Sequence, residues 1–182
     1  MMNEVLKNIA TRSSIRAYKA DPLKPEELQA LITAGLQAPT AANRQEFHLT
    51  VVPGNHPVLQ EIEDAKNAQM AAANPGRPAP ATNFWFNAPH VIFVSADKNM
   101  VWGKFDAGIV AENIHLAAHS MGLGSIMVGC IRGAMEGEQK EHFAKMLQFP
   151  ENYEYAIAVP VGYRDTEKAP HTFDAGKQVT IL

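Results

Sequence analysis

The chain has 182 residues, 46% hydrophobic and 19% charged, with 16 basic against 19 acidic side chains for a formal net charge of -3. That length suits one domain spanning 1–182, able to bury a core without staples, and the single cysteine, Cys130, can close no intramolecular disulfide. The charge balance excludes a nucleic-acid coat, which needs a basic face, and no run approaches the ~20 apolar residues of a bilayer span. The start, Met-Met-Asn-Glu-Val-Leu-Lys, lacks the basic and apolar regions of a secretion signal, so the expectation is a reducing, cytoplasmic compartment. The charged fraction is below the ~25% usual for soluble domains, a first sign of surface hidden in an oligomer.

In chain order, Val5, Leu6 and Ile9 predict a short helix. Pro25 opens a second, with Glu26 and Glu27 in its first turn and Leu28, Leu31, Ile32 and Leu36 on one face; Pro39 ends it. The β-rich run at 48–52 reads as a strand stopped by Pro53 and Gly54, and a polar helix follows over 57–72. Residues 73–89 hold Pro75, Pro78, Pro80 and Pro89 and the trio Phe84-Trp85-Phe86. A loop this long is either a surface excursion or a lid whose aromatics touch a ligand or a second subunit. A strand at 90–94, a helix at 105–121, a strand at 125–130, a helix at 136–147, a strand at 155–161 and a polar tail complete the chain. The mixture predicts an α+β or mixed α/β fold, a four- or five-stranded sheet flanked by helices.

Three segments carry chemistry. Arg12-Ser13-Ser14-Ile15-Arg16 crowds two guanidinium groups and two hydroxyls together, which suits a phosphate monoester; the plain alternative is a solvated turn with a serine cap. Pro39-Thr40-Ala41-Ala42-Asn43-Arg44-Gln45 has small residues that let a flat ligand approach and two amides for its edge, or is a turn with exposed amides. In Gly122-Leu123-Gly124-Ser125-Ile126-Met127-Val128-Gly129 the glycines follow a helix and precede a strand, the reverse of a dinucleotide fingerprint, so Gly122 reads as a helix C-cap. Glu112, His115 and His119 share a helical face, but no second Glu-x-x-His and no His-Glu-x-x-His occurs, so no metal is expected. Cys130 reads as a small hydrophobe in a buried strand. Neither a Gly-x-Ser-x-Gly elbow nor a P-loop is present.

Taken in order and spacing, these segments, with Asp106-Ala107-Gly108-Ile109-Val110-Ala111-Glu112-Asn113 and the ending Val161-Gly162-Tyr163, resemble the nitroreductase family of flavin oxidoreductases. The resemblance implies a mainly antiparallel sheet in an intertwined homodimer with two FMN sites at the subunit interface. It implies an FMN-dependent NAD(P)H oxidoreductase that passes hydride through flavin N5 to a nitroaromatic or quinone acceptor by ping-pong kinetics, with no acid–base residue of its own. Arg12, Ser13 and Ser14 are implied ligands of the FMN phosphate and ribityl chain, and Arg16 the cation at the pyrimidine edge. Pro39, Thr40, Ala41 and Asn43 are implied to wall the ring, with Gln45 reaching from the other subunit. Met127, Val128 and Gly129 match the segment lining the ring face. The basic residue the family places in its tail is Lys168 or His171, with the place after Pro170 favouring His171. The usual Gln-Pro-Trp is here Gln45-Glu46-Phe47. Phe84, Trp85 and Phe86 are candidates for an acceptor-pocket wall. An apolar dimer interface well above ~1,600 Å² is expected. The competing reading is a flavin-binding storage or sensor protein without turnover.

Overall fold

Capping and hydrophobic periodicity set the elements in the computed structural model, which describes residues 2–182. Helix α1 (Glu4–Thr11) starts where the Asn3 side chain accepts the Leu6 amide at 2.9 Å. Helix α2 (Pro25–Leu36) carries proline in its first turn, where no amide partner is needed. The Glu27 carboxylate accepts from the Lys24 amide and from the Tyr163 hydroxyl. Strand β1 (Phe47–Pro53), helix α3 (Pro57–Ala73), strand β2 (His90–Asp97) and helix α4 (Gly103–Ser120) follow. After them come β3 (Leu123–Ser125), α5 (Arg132–Met135), α6 (Lys140–Met146), β4 (Tyr153–Tyr163) and α7 (Ala175–Gln178).

The four strands form one antiparallel sheet in the order β1-β2-β4-β3, within the expected range. Strand β2 is buried on both faces, and its alternation divides two cores. Val91 and Phe93 enter a cluster with Val58, Leu59 and Ile62 of α3 and Phe143 of α6. Ile92 and Val94 enter another with Leu31 of α2 and Val110 and Ile114 of α4. Helices therefore cover both sides, and the sheet's ends and edges are left to carry a site.

Helix α4 ends at Gly122, whose φ of +75° and amide bond to the His119 carbonyl (3.0 Å) are those of a left-handed helix terminus. Past it, the structure departs from the sequence reading. The expected strand over 125–130 stops at Ser125; Ile126 and Val128 still donate to the Pro160 and Ala158 carbonyls, and then the chain turns into α5. Cys130 lies in that turn and is exposed, while its neighbour Ile131 takes the core position. The helix expected over 136–147 starts later, as α6 at Lys140, because Gly137 sits in the turn after the short α5, which precedes the expected range.

The aromatic loop is partly structural. Trp85 is 4% exposed, tilts against Phe93 at 5.6 Å, and its indole N–H donates to the Leu59 carbonyl at 3.1 Å. It is a core residue, and Phe84 and Phe86 lean on the same cluster. Replacing Trp85 with Ala should cost about 3–5 kcal/mol, read as a lower urea midpoint with an unchanged slope. A loss below about 1 kcal/mol would return Trp85 to the surface.

Candidate functional site

The Arg-Ser segment is held in place by the sheet. As the chain leaves α1 it becomes extended, and the Ile15 amide donates to the Ser125 carbonyl at 3.0 Å. Further on, Tyr18 bridges to Arg164 and the Lys19 amide donates to the Tyr163 carbonyl. Residues 15–19 thus extend the β3–β4 corner. This approach needs Gly124, where a Cβ would lie 2.9 Å from Ile15 Cγ2.

Within the segment the side chains have separate tasks. Ser13 is buried and its hydroxyl donates to the Lys168 carbonyl at 2.8 Å, which ties down the tail. Ser14 is half-buried. Arg16 is exposed and lies 6.0 Å from the centre of the Phe86 ring. Arg12 keeps 19% of its side chain exposed, with Nε 3.5 Å from Glu112. His171 is exposed in the tail, and it is Lys168, three residues earlier, whose backbone reaches the segment.

Facing Arg12 are two histidines of α4. His115 is 1% exposed; Nδ1 pairs with the Ser125 hydroxyl at 2.9 Å, and Nε2 is buried without a partner among the described residues. Burial, reinforced by the Arg12 charge, pushes its pKa down to about 4. His119 lies between the Thr11 hydroxyl (2.8 Å) and the Arg164 guanidinium. Burial first, then Arg164 and Arg12, hold its pKa below the ordinary histidine value. The shared face of Glu112, His115 and His119 is therefore real, but it serves arginine and serine; no group suited to a metal occurs among the described residues. Arg164 and Thr11 lie outside the three segments that the sequence marks as carrying chemistry. The available signal was an arginine directly after Val161-Gly162-Tyr163.

The second segment is built on α4's N-terminus. Asp106, 8% exposed, accepts the Ala41 amide on both oxygens (3.2 and 3.1 Å), fixing a 3₁₀ turn over Ala41–Asn43. Ala42, Asn43 and Gln45 all have left-handed backbone, φ +52°, +52° and +55°. Such a cluster of non-glycine residues is held only where the surroundings insist on it. Thr40 Oγ1 accepts the Gln45 amide and Gln45 Nε2 donates to Asn43 Oδ1, both at 3.0 Å. Pro39, Asn43 and Gln45 are exposed.

In the third segment, Val128 is 3% exposed with both backbone groups engaged: its amide donates to Ala158 (2.8 Å) and its carbonyl accepts the Tyr155 hydroxyl (2.6 Å). By alternation Met127 and Gly129 face outward, and both are exposed.

One chain does not bring all three segments together. Residues 12–16 and 127–129 lie at the β3–β4 side, whereas 39–45 lead into β1, the opposite edge. Phe47 stands three strand spacings from Val128 and three residues along the ladder, since Val128 pairs with Ala158, Ala158 with Phe93, and Phe93 with Thr50. At ~4.8 Å per strand and ~3.4 Å per residue this is roughly 17 Å.

Comparison with known proteins agrees with this architecture. The Nitroreductase family profile matches residues 9–163. An Archaeoglobus fulgidus protein provisionally named NADH dehydrogenase/NAD(P)H nitroreductase is 31% identical, over 92% of this chain and 89% of its own. A nitroreductase of Desulfitobacterium hafniense DCB-2, solved with bound FMN, is 34% identical and superposes over 100% of both chains with a TM-score of 0.84. The FMN reductase [NAD(P)H] of Bacillus subtilis is 30% identical over 72% of this chain, which spans 56% of that protein. The chain belongs to the nitroreductase family and has its fold.

The buried imidazole makes stability pH-dependent. Unfolding returns the His115 pKa to its ordinary 6.5, so the unfolded state binds more protons between about pH 6.5 and 4, and stability falls as pH falls through that window. The contribution is about 3 kcal/mol. His115→Asn should lose that part of the slope in urea titrations run from pH 7 to pH 4; parallel wild-type and variant curves would contradict it.

Proposed function

We propose that this chain is an FMN-dependent NAD(P)H oxidoreductase acting as a homodimer, and the observation that carries the dimer is the split site. Residues 39–45 lie too far from 127–129 of the same chain for one planar ring to touch both, and a second copy supplies the missing edge. The partner's share is then the whole of Pro39, Thr40, Ala41, Asn43 and Gln45, not Gln45 alone. Unburied apolar side chains support the pairing: Val5, Leu6 and Ile9 on α1, Phe105 and Ile109 on α4, and Phe173, Val179 and Ile181 in the tail are all exposed, and α1 buries none of its residues.

The residues present suit FMN. A guanidinium at Arg12 with Ser14 beside it fits a phosphate, and the outward backbone at Met127 and Gly129 fits the face of a flat ring. Ser13, its hydroxyl committed to Lys168, holds the tail across the phosphate end. Arg16, exposed beside Phe86, would supply the cation that stabilises negative charge at the pyrimidine edge. Relatives support the electron donor and cofactor: the Desulfitobacterium structure holds FMN, and the Bacillus protein is named for NAD(P)H. When bound, FMN supplies hydride transfer at N5 between a nicotinamide and an acceptor such as a nitroaromatic or quinone. The chain's own part is to bind and orient both partners in turn at one place, which gives ping-pong kinetics. A single exposed thiol accords with a reducing, cytoplasmic compartment, and no described helix is long and apolar enough to cross a membrane.

The purified protein should be yellow, release FMN on denaturation, sediment as a dimer, and bleach on anaerobic titration with NADH or NADPH before recolouring with a quinone. A colourless protein that cannot be reconstituted with FMN overturns the proposal. Bound FMN that neither nicotinamide reduces favours the storage or sensor reading. Arg12→Ala should weaken FMN binding by about 1.5–3 kcal/mol, measured by fluorescence titration of the apoprotein; unchanged affinity would remove Arg12 from the site.

A further inference from the structure

We infer that Arg164 is a second phosphate-binding arginine of the flavin site, set in position by His119 and Thr11. The inference rests on the flavin reading above and adds to it a ligand from the rigid end of β4 in place of one from the exposed tail.

Three independent features converge on Arg164. The first is place: the Cβ that Gly124 lacks would meet Ile15 Cγ2 at 2.9 Å and Arg164 Cγ at 3.2 Å, so the arginine stem and the Arg-Ser segment close over one point. Tyr18 bridges to Arg164 on the same side.

The second is a hydrogen-bond chain with only one possible direction. A guanidinium can only donate, so His119 Nδ1 accepts from Arg164. The imidazole proton then sits on Nε2 and is donated to Thr11 Oγ1 at 2.8 Å, while the Thr11 hydroxyl donates to the Lys7 carbonyl at 2.8 Å. Arg164 Nε donates to the Leu123 carbonyl at 3.1 Å. Two of the three guanidinium nitrogens are thereby fixed, and the third, Nη1, meets the exposed Glu167 carboxylate at 3.7 Å, a weak pair that a phosphate can displace.

The third is charge. Arg12 and Arg164 retain only 19% and 18% of side-chain exposure, and the fields of both reach His119. Their carboxylate partners are solvent-exposed and long: Glu112, 44% exposed, stands 3.5 Å from Arg12, and Glu167, 88% exposed, stands 3.7 Å from Arg164. Exposed carboxylates at that range compensate two covered guanidinium groups only weakly, whereas one phosphate accepts from both forks. Meanwhile His171 is exposed, and Lys168 meets Ser13 through its carbonyl.

Riboflavin, which is FMN without the phosphate, separates this role from a structural one. Apoprotein is titrated with FMN and with riboflavin, following flavin fluorescence. Arg164→Gln should weaken FMN binding roughly 10- to 100-fold, with riboflavin affinity unchanged. Arg164→Lys, which keeps the stem and charge but loses the fork, should show a smaller loss confined to FMN. His119→Ala should share the FMN-specific loss, and His119→Asn, whose Oδ1 accepts from Arg164, should recover most of it. Equal losses for the two flavins in both Arg164 variants, or no loss for either, overturns the inference while the flavin reading stands. A wild-type protein that binds neither flavin overturns the reading itself, and the inference with it.

Discussion

The pairing of residues 15–19 with the β3–β4 corner is the constraint on which the site depends. It starts from one amide, Ile15 to the Ser125 carbonyl, and continues through Tyr18 and Lys19 against Arg164 and Tyr163. The Tyr18 hydroxyl closes it by donating to the Ile15 carbonyl at 2.9 Å, inside a buried setting that raises the phenol pKa well above its usual value. Because β4 also pairs with β2 along most of its length, this corner inherits the rigidity of the two cores that β2 divides. A side chain on residues 12–16 is therefore fixed relative to Val128 and Arg164 by backbone bonds, the arrangement that holds charged ligands to within fractions of an ångström.

Neutral histidines complete that corner. His115 and His119 lie one turn apart on α4; His115 meets Ser125 through Nδ1, and His119 meets Thr11 and Arg164 through its two nitrogens. Were either protonated, it would add a third like charge beside Arg12 and Arg164, and a protonated His119 would lose the acceptor that holds Arg164. Burial and the arginine charges act in the same direction, so the helix contributes orientation without contributing charge.

How much of this was legible in the sequence varies with how local the cause is. Helix α2 follows its own pattern, with Pro25 at its start and an apolar face, and its bounds agree with the reading. Gly122 announces a helix end, and the Arg-Ser cluster announces itself by composition. Cys130 misled because the apolar run from Ile126 reads as continuous strand, whereas pairing ends at Val128 and the next buried position is Ile131. In Phe84-Trp85-Phe86 nothing local says which ring turns inward; the partner that decides it, the Leu59 carbonyl, is 26 residues away. Arg164 depends on His119, 45 residues earlier, and on Gly124, so its role exists only once β4 has docked.

The separation of 39–45 from the remaining ligands has a thermodynamic consequence. Holding Ala42, Asn43 and Gln45 left-handed costs about 1 kcal/mol or more for a residue such as Ala42, and within one chain Asp106 and Thr40 offset it with three hydrogen bonds. The strained loop is thus held by contacts within one chain, and association with a second copy would not have to order it. If the cofactor touches both chains, its binding energy is shared between holding the ring and holding the dimer, so each strengthens the other by the same factor. On the proposed two-chain site, a monomer would retain Arg12, Arg16 and Arg164 but lack the wall, and its affinity would rest on the phosphate corner alone. On that reading the end of β4, held by its pairing in the sheet, and not the exposed tail, is the place where first capture of the flavin is expected.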